Sequence, residues 1–165
     1  MRAALREAEK ARELDEVPIG CVIVQNERII AKGHNLTEQL KDATAHAEMM
    51  AITIASAALE SRYLTDVTLY VTIEPCPMCA GAIVLARIPK LVFGAYDIKA
   101  GACGTLYNIP EDKRLNHQVK VIPGVLDAEC SSMMQDYFRK KRIKGLERPL
   151  QSDHPSGIGF DVSPP

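Results

Sequence analysis

The sequence predicts an α/β fold, a mixed sheet of about five strands with helices on both faces. Three observations predict it. Short apolar or β-branched runs recur at residues 19–24, 28–32, 67–72, 91–94 and 119–122. After an opening hairpin these runs alternate with helical patterns. The length of 165 residues, with 47% apolar and 25% charged types, suits one domain.

Each element has a local reason. Residues 3–14 read as a helix, with Ala4, Leu5, Ala8 and Ala11 on one face, and Pro18 breaks it. Met1 stands inside that pattern, so the helix is expected to begin upstream. The runs 19–24 and 28–32 flank a Gln25-Asn26-Glu27 turn and form a hairpin. A polar loop continues to Ala43. Thr44 is the expected N-cap of a helix over 45–59. The strand 67–72 leads into Glu74-Pro75-Cys76-Pro77, and Pro77 suits the first position of a helix over 77–86. Pro89 ends that helix, and 91–94 is another strand. Residues 96–118 form a long loop containing Gly101, Gly104 and Asn108; loops of this length are often functional. After the last strand, 119–122, Asp127 is expected to cap a helix to about Lys144. The domain is placed at 1–148. Residues 149–165, rich in Pro and Gly, are expected to be disordered.

Charge and composition exclude several classes. A net charge of −1 does not fit a protein that coats nucleic acid over its whole surface. Yet six basic residues (Arg139, Lys140, Lys141, Arg142, Lys144, Arg148) stand against Glu147 alone in one stretch. Such a cluster is either a solvated helix end or a local footprint for a polyanion. No apolar run approaches the ~18 residues of a membrane span. The N-terminus alternates Arg, Glu and Ala and lacks the apolar centre of a signal peptide. Five cysteines cannot close into disulfides as a set. A reducing cytoplasm is expected, with thiols used for metal or catalysis.

Two motifs carry chemistry. Cys76-Pro77-Met78-Cys79 sets two thiols three apart at a helix start, where amides and the helix dipole favour thiolate. Zinc sites and redox pairs share that spacing. No preceding aromatic or thioredoxin-like strand order supports a redox pair, and Cys21, Cys103 and Cys130 are too scattered to complete a four-cysteine site. The second motif is His46-Ala47-Glu48. One His and two Cys give three ligands, which leaves a fourth zinc position open for water, as in catalytic sites. Glu48 is then placed to move protons. Helical residues two apart diverge by about 200°, so His46 must sit at the very start of its helix. The 30 residues between His46 and Cys76 suit one crossover that brings two helix N-termini to one sheet edge.

The combination H-x-E with P-C-x-x-C is the signature of the zinc deaminases. The chain resembles the cytidine and deoxycytidylate deaminase superfamily and, within it, the bacterial tRNA-specific adenosine deaminases. The carrying segments include Val17-Pro18-Ile19-Gly20, Gly33-His34-Asn35, Thr44-Ala45-His46-Ala47-Glu48-Met49, Thr72-Ile73-Glu74-Pro75-Cys76, Gly101-Ala102-Cys103-Gly104 and Asp136-Tyr137-Phe138-Arg139. They run in order over residues 1–144. The resemblance implies a three-layer α/β/α cytidine-deaminase-like fold and conversion of a wobble adenosine to inosine, in an arginine tRNA with anticodon ACG. It implies one zinc per subunit, held by His46, Cys76 and Cys79, with Glu48 as proton shuttle. It also implies a cytoplasmic homodimer whose sites draw on both chains. Asn35 would bond the flipped base, Asp97 would lie at the ribose-phosphate, and Phe138 would pack near the flanking bases. Relatives often carry a basic residue just after that Asn; here Leu36 and Thr37 follow.

Two other functions compete. The metal motif is shared with deaminases of a free base or nucleotide, of guanine or cytosine type. The basic last helix and the 97–108 loop favour RNA over these. An RNA-binding subunit with structural zinc has no use for Glu48, which is not a ligand.

Overall fold

The structure, a computed structural model, describes residues 1–146, with side chains as far as residue 143. The expected tail at 149–165 and Arg148 lie outside the described residues. The elements are α1 (Arg2–Glu13), β1 (Gly20–Gln25), β2 (Arg28–His34), α2 (Thr37–Leu40), α3 (Ala47–Ala58), β3 (Thr68–Ile73), α4 (Pro77–Leu85), β4 (Lys90–Ala95), β5 (Lys120–Ile122) and α5 (Asp127–Leu146).

One five-stranded sheet runs β2-β1-β3-β4-β5. The β1 strand is antiparallel to both β2 and β3, whereas β3, β4 and β5 are parallel. The expected mixed sheet is therefore present. Helices α3 and α4 supply the main core: Ala47, Ala51 and Ala55 of α3 and Ala80, Ile83 and Val84 of α4 pack with Cys21, Ile23, Leu69, Val71, Leu91 and Phe93 of the sheet. A smaller cluster joins Ile73, Ala95 and Cys130 with Met1, Leu5 and Met134 of the α1 and α5 layer. Alanines on α1 and α3 allow close approach of helix to strand. At Gly33 an added Cβ would strike the Ala47 carbonyl, so the glycine brings β2 directly onto the first turn of α3.

Three boundaries differ from the sequence expectation. First, α3 begins at Ala47, and its N-cap is His46, not Thr44. Thr44 is instead drawn into a turn, where its N–H and hydroxyl both donate to Asp42 Oδ1 at 2.8 and 2.7 Å. Second, the polar loop before Ala43 contains α2. Third, Asp127 is the first residue of α5 and not its cap, and its carboxylate accepts the Ser131 hydroxyl at 3.0 Å. The 96–118 loop folds on itself through a Cys103–Asn108 bridge, and Ile109 N donates to Ala102 O at 3.0 Å. His117 orders the end of this loop, where Nε2 donates to Ile88 O at 2.8 Å.

Gly33→Ala tests the strand-to-helix contact. The extra methyl should cost about 1–3 kcal/mol by overpacking, read as a lower urea midpoint; an unchanged midpoint would show slack between β2 and α3.

Candidate metal centre and active site

Three donor side chains meet where α3 and α4 begin. His46 is the N-cap of α3, Cys76 is the N-cap of α4, and Cys79 lies one turn into α4. Neither N-cap side chain makes a capping hydrogen bond, so both are directed to the donor cluster. His46 has extended backbone, with φ −73° and ψ 155°. Its direction is thus not tied to the helical period, which is how His46 and Glu48 serve one site from positions two apart.

His46 Nδ1 lies 3.7 Å from Cys76 Sγ and 3.6 Å from Cys79 Sγ. All three donor atoms lie within 4.8 Å of one another. Tetrahedral zinc with ordinary Zn–S and Zn–N bonds needs an N···S separation of about 3.6 Å. The donor set and its spacing fit zinc. The electrostatics agree. A hydrogen bond from the Cys79 thiol, and then His46, pull the Cys76 thiol down to about 4. Cys79 is pushed up, first by Cys76 and then by burial. Its bond to Cys76 raises His46. Two sulfurs and an imidazole sharing protons at this range form a seat for a cation.

Glu48, in the first turn of α3, is only 4% exposed. Burial pushes its carboxyl above the ordinary range. Its charge acts on Cys79, which places it against the donor cluster. A buried carboxyl raised in this way holds a proton more readily than a solvated one.

Asn35 follows β2 and is buried, at 4% exposure. Its N–H donates to Ile19 O at 3.1 Å, and the next residue, Leu36, donates to Ala45 O at 3.0 Å. That ladder lays Asn35 alongside the chain entering His46. Asp97 and Phe138 are brought together elsewhere, in a cleft of about 710 Å³ between α5 and the loop after β4. Ile73, Ala95, Met134 and Arg142 also line it. Asp97 Oδ1 accepts the N–H groups of Lys99 and Ala100 at 2.9 and 3.2 Å, so this side chain also shapes its loop. Phe138 is 43% exposed and stacks edge-on against Tyr137.

Two residues that sequence reasoning passed over hold the walls. Glu74, buried, accepts from Asp97 N at 3.2 Å, Cys103 N at 2.9 Å, Thr105 N at 3.0 Å and the Thr105 hydroxyl. It fastens the loop after β4 to the strand that ends at the cysteines. Gly101 is required there, because a Cβ would strike this carboxylate. Glu16 plays a similar part near Asn35. The available signal was an acidic residue at the end of an apolar run, as Glu74 is after Ile73.

The chain matches the MafB19-like deaminase family model over residues 1–142. Fold and site together define a deaminase of the cytidine-deaminase-like fold. It is 53% identical over 144 residues to the tRNA-specific adenosine deaminase of Bacillus subtilis (strain 168), covering 87% of this chain and 89% of that one. The enzyme of the same name from Aquifex aeolicus (strain VF5) is 47% identical over 142 residues, covering 86% and 93%. A solved tRNA:A34 deaminase, studied for A-to-I editing at the wobble position of transfer RNA, superposes with a TM-score of 0.78 at 44% identity, covering 81% and 96%. The chain belongs to the tRNA-specific adenosine deaminase family.

Two outcomes are expected from this geometry. Cobalt added in place of zinc should give thiolate-to-metal charge-transfer absorption that Cys79→Ala weakens, leaving only the Cys76 contribution; an unchanged band would remove Cys79 from the ligand set. Glu74→Gln leaves one oxygen for a set of donors and should cost about 1–3 kcal/mol. Hydrogen exchange should locate the loosening at residues 97–105.

Proposed function

We propose that this chain converts the wobble adenosine of a tRNA anticodon loop to inosine, with water consumed and ammonia released, and that the substrate is an arginine tRNA with anticodon ACG. The observation that carries the reading is a buried carboxyl, Glu48, beside a His–Cys–Cys donor set at two helix N-termini. Family membership supports the same reaction.

In this reading His46, Cys76 and Cys79 hold one zinc per subunit. Zinc bound there supplies Lewis acidity toward a water molecule. Glu48 takes a proton from the attacking water, delivers it to the ring nitrogen, and then protonates the departing amine. Its burial serves that double duty, because a fully solvated carboxyl releases its proton at too low a pH to act as an acid near neutrality. Asn35 orients the flipped base. Adenosine in a single-stranded loop is unstacked at little cost, which favours an anticodon loop over a duplex.

The cleft of Asp97 and Phe138 receives the flanking nucleotides. Phe138 offers an exposed ring face to a base. Asp97, an anion, suits a ribose hydroxyl and not a phosphate. The phosphates fall to Arg142 in the cleft and to exposed Lys140 on the same helix. Leu36 and Thr37 lack the cation that relatives often place there, so α5 carries more of that task. We further propose a homodimer: Leu85 on α4 and Ile54 on α3 are exposed at 78% and 44%, apolar surface that a second copy would cover. The site of action is the cytoplasm; no helix among the described residues is long and apolar enough to cross a membrane.

Mass spectrometry of one mixed reaction tests the reading. It contains an ACG anticodon stem-loop, free guanine, cytosine and adenine, and their nucleosides. Inosine should form in the stem-loop alone; conversion of a free base with the stem-loop untouched would move the chain to the small-molecule deaminases. Glu48→Ala should retain zinc and fold while losing about 10²–10⁴-fold in rate, and loss of its zinc would contradict the shuttle role. Arg142→Ala should weaken stem-loop binding and lower the salt slope by about 1.

A further inference from the structure

We propose that Glu16 is the positioning residue that fixes which face of the Asn35 amide the site presents to the base. The proposal rests on the reading of Asn35 as the base-binding residue.

Glu16 is fully buried, at 0% exposure. Its backbone is pinned: its N–H donates to Ala11 O at 2.9 Å, and the preceding Asp15 has a φ of 60°. The side chain then reaches across to the segment after β2. Glu16 Oε2 accepts from Asn35 Nδ2 at 3.0 Å and from the Thr37 hydroxyl at 3.2 Å. Glu16 Oε1 accepts from Gln39 N at 2.8 Å. Asn35 Nδ2 also donates to Thr37 Oγ1 at 3.0 Å.

Every partner of Glu16 on that segment is a donor. A carboxylate has only acceptors to offer, so it selects the amide nitrogen of Asn35 and turns the amide oxygen away. A flipped amide would set oxygen against oxygen in a buried place, where an unmatched polar contact is costly. Asn35 therefore presents one hydrogen-bonding pattern, not two. An amide free to flip would offer a donor or an acceptor at the same point and would recognise different ring edges equally. The Gln39 bond adds a second function. It anchors α2, and with it the loop that carries Asn35 past the entrance to His46.

Glu16→Gln is the sharp test, because it keeps the shape and replaces one acceptor by a donor. That donor must oppose either Gln39 N–H or the Asn35 amine. Four zinc-loaded proteins are compared on the ACG stem-loop: the parent, Glu16→Gln, Asn35→Ala and the double variant. Zinc content and melting temperature are recorded for each. Glu16→Gln should lower kcat/KM by roughly 10–100-fold, the range for a bond to a charged group. In the Asn35→Ala background the same change should add less than about 2-fold, because the two residues act as one unit. An equal loss in both backgrounds would make Glu16 a general structural residue and overturn the proposal. So would full activity of Glu16→Gln.

If Asn35→Ala itself keeps full activity, the base-binding reading of Asn35 fails and the proposal falls with it. That failure shows in the Asn35 variant alone and is distinct from the others. Thr37→Val keeps the test open should the Glu16→Gln protein misfold. It removes one donor and leaves the carboxylate and its Gln39 bond. It should lose roughly 3–10-fold in the parent and nothing further beside Asn35→Ala; an equal loss in both would count against the proposal.

Discussion

Donor side chains from the starts of two helices come within 4.8 Å of one another at one end of a sheet, and the rest of the site depends on that coincidence. Each helix begins on a residue whose side chain makes no capping bond, His46 for α3 and Cys76 for α4. Helix starts present unpaired N–H groups and positive potential, which favours thiolate. Strands β2 and β3 both run antiparallel to β1, so they point the same way, and α3 and α4, which follow them, start at the same end of the sheet. The ligand geometry is therefore held by the main core, through Ala47 and Ala51 on one helix and Ala80 and Ile83 on the other. Small side chains there keep both helices close to the sheet.

Around that centre, two buried carboxylates organise the approaches. Glu16 serves the Asn35 side and Glu74 the Asp97 side. Burying a carboxylate is costly unless donors surround it. Each is met by donors drawn from a segment that no regular strand would hold. The cost of desolvation is thus converted into loop order, and the walls of the site become as defined as its floor. Glu48 is the contrast. It is also buried, and that burial pushes its carboxyl up, against the donor cluster.

Much of this was legible in the chain. The strands at Val67-Thr68-Leu69-Tyr70-Val71 and Leu91-Val92-Phe93 announce themselves by β-branched and apolar runs, and Pro77 marks the start of α4. The donor trio was legible because ligand chemistry restricts residue type and spacing together. The start of α3 was misplaced because Thr44 has the usual capping chemistry, while His46, which has little, takes the cap position. Thr44 spends its hydroxyl on Asp42 instead. The α2 turn was missed because its anchor, Glu16, lies 23 residues from Gln39, and local patterns hold no record of such a bond. Asp97 was expected in the site through resemblance alone; its part in shaping residues 99–100 emerges only from the folded loop.

The division between the two apolar clusters has a consequence for the order in which the protein is made. The main core is assembled from residues that end at Val121, and α5 adds none of them. That last helix seats on the smaller cluster and ties back to the start of the chain, where the Tyr137 hydroxyl donates to Asp15 O at 2.9 Å across 122 residues. The three donor residues and the principal core all lie before α5 in the chain, so they leave the ribosome ahead of it. The donor trio can thus assemble before α5 arrives, and the cleft of Asp97 and Phe138, which α5 lines, is completed after it.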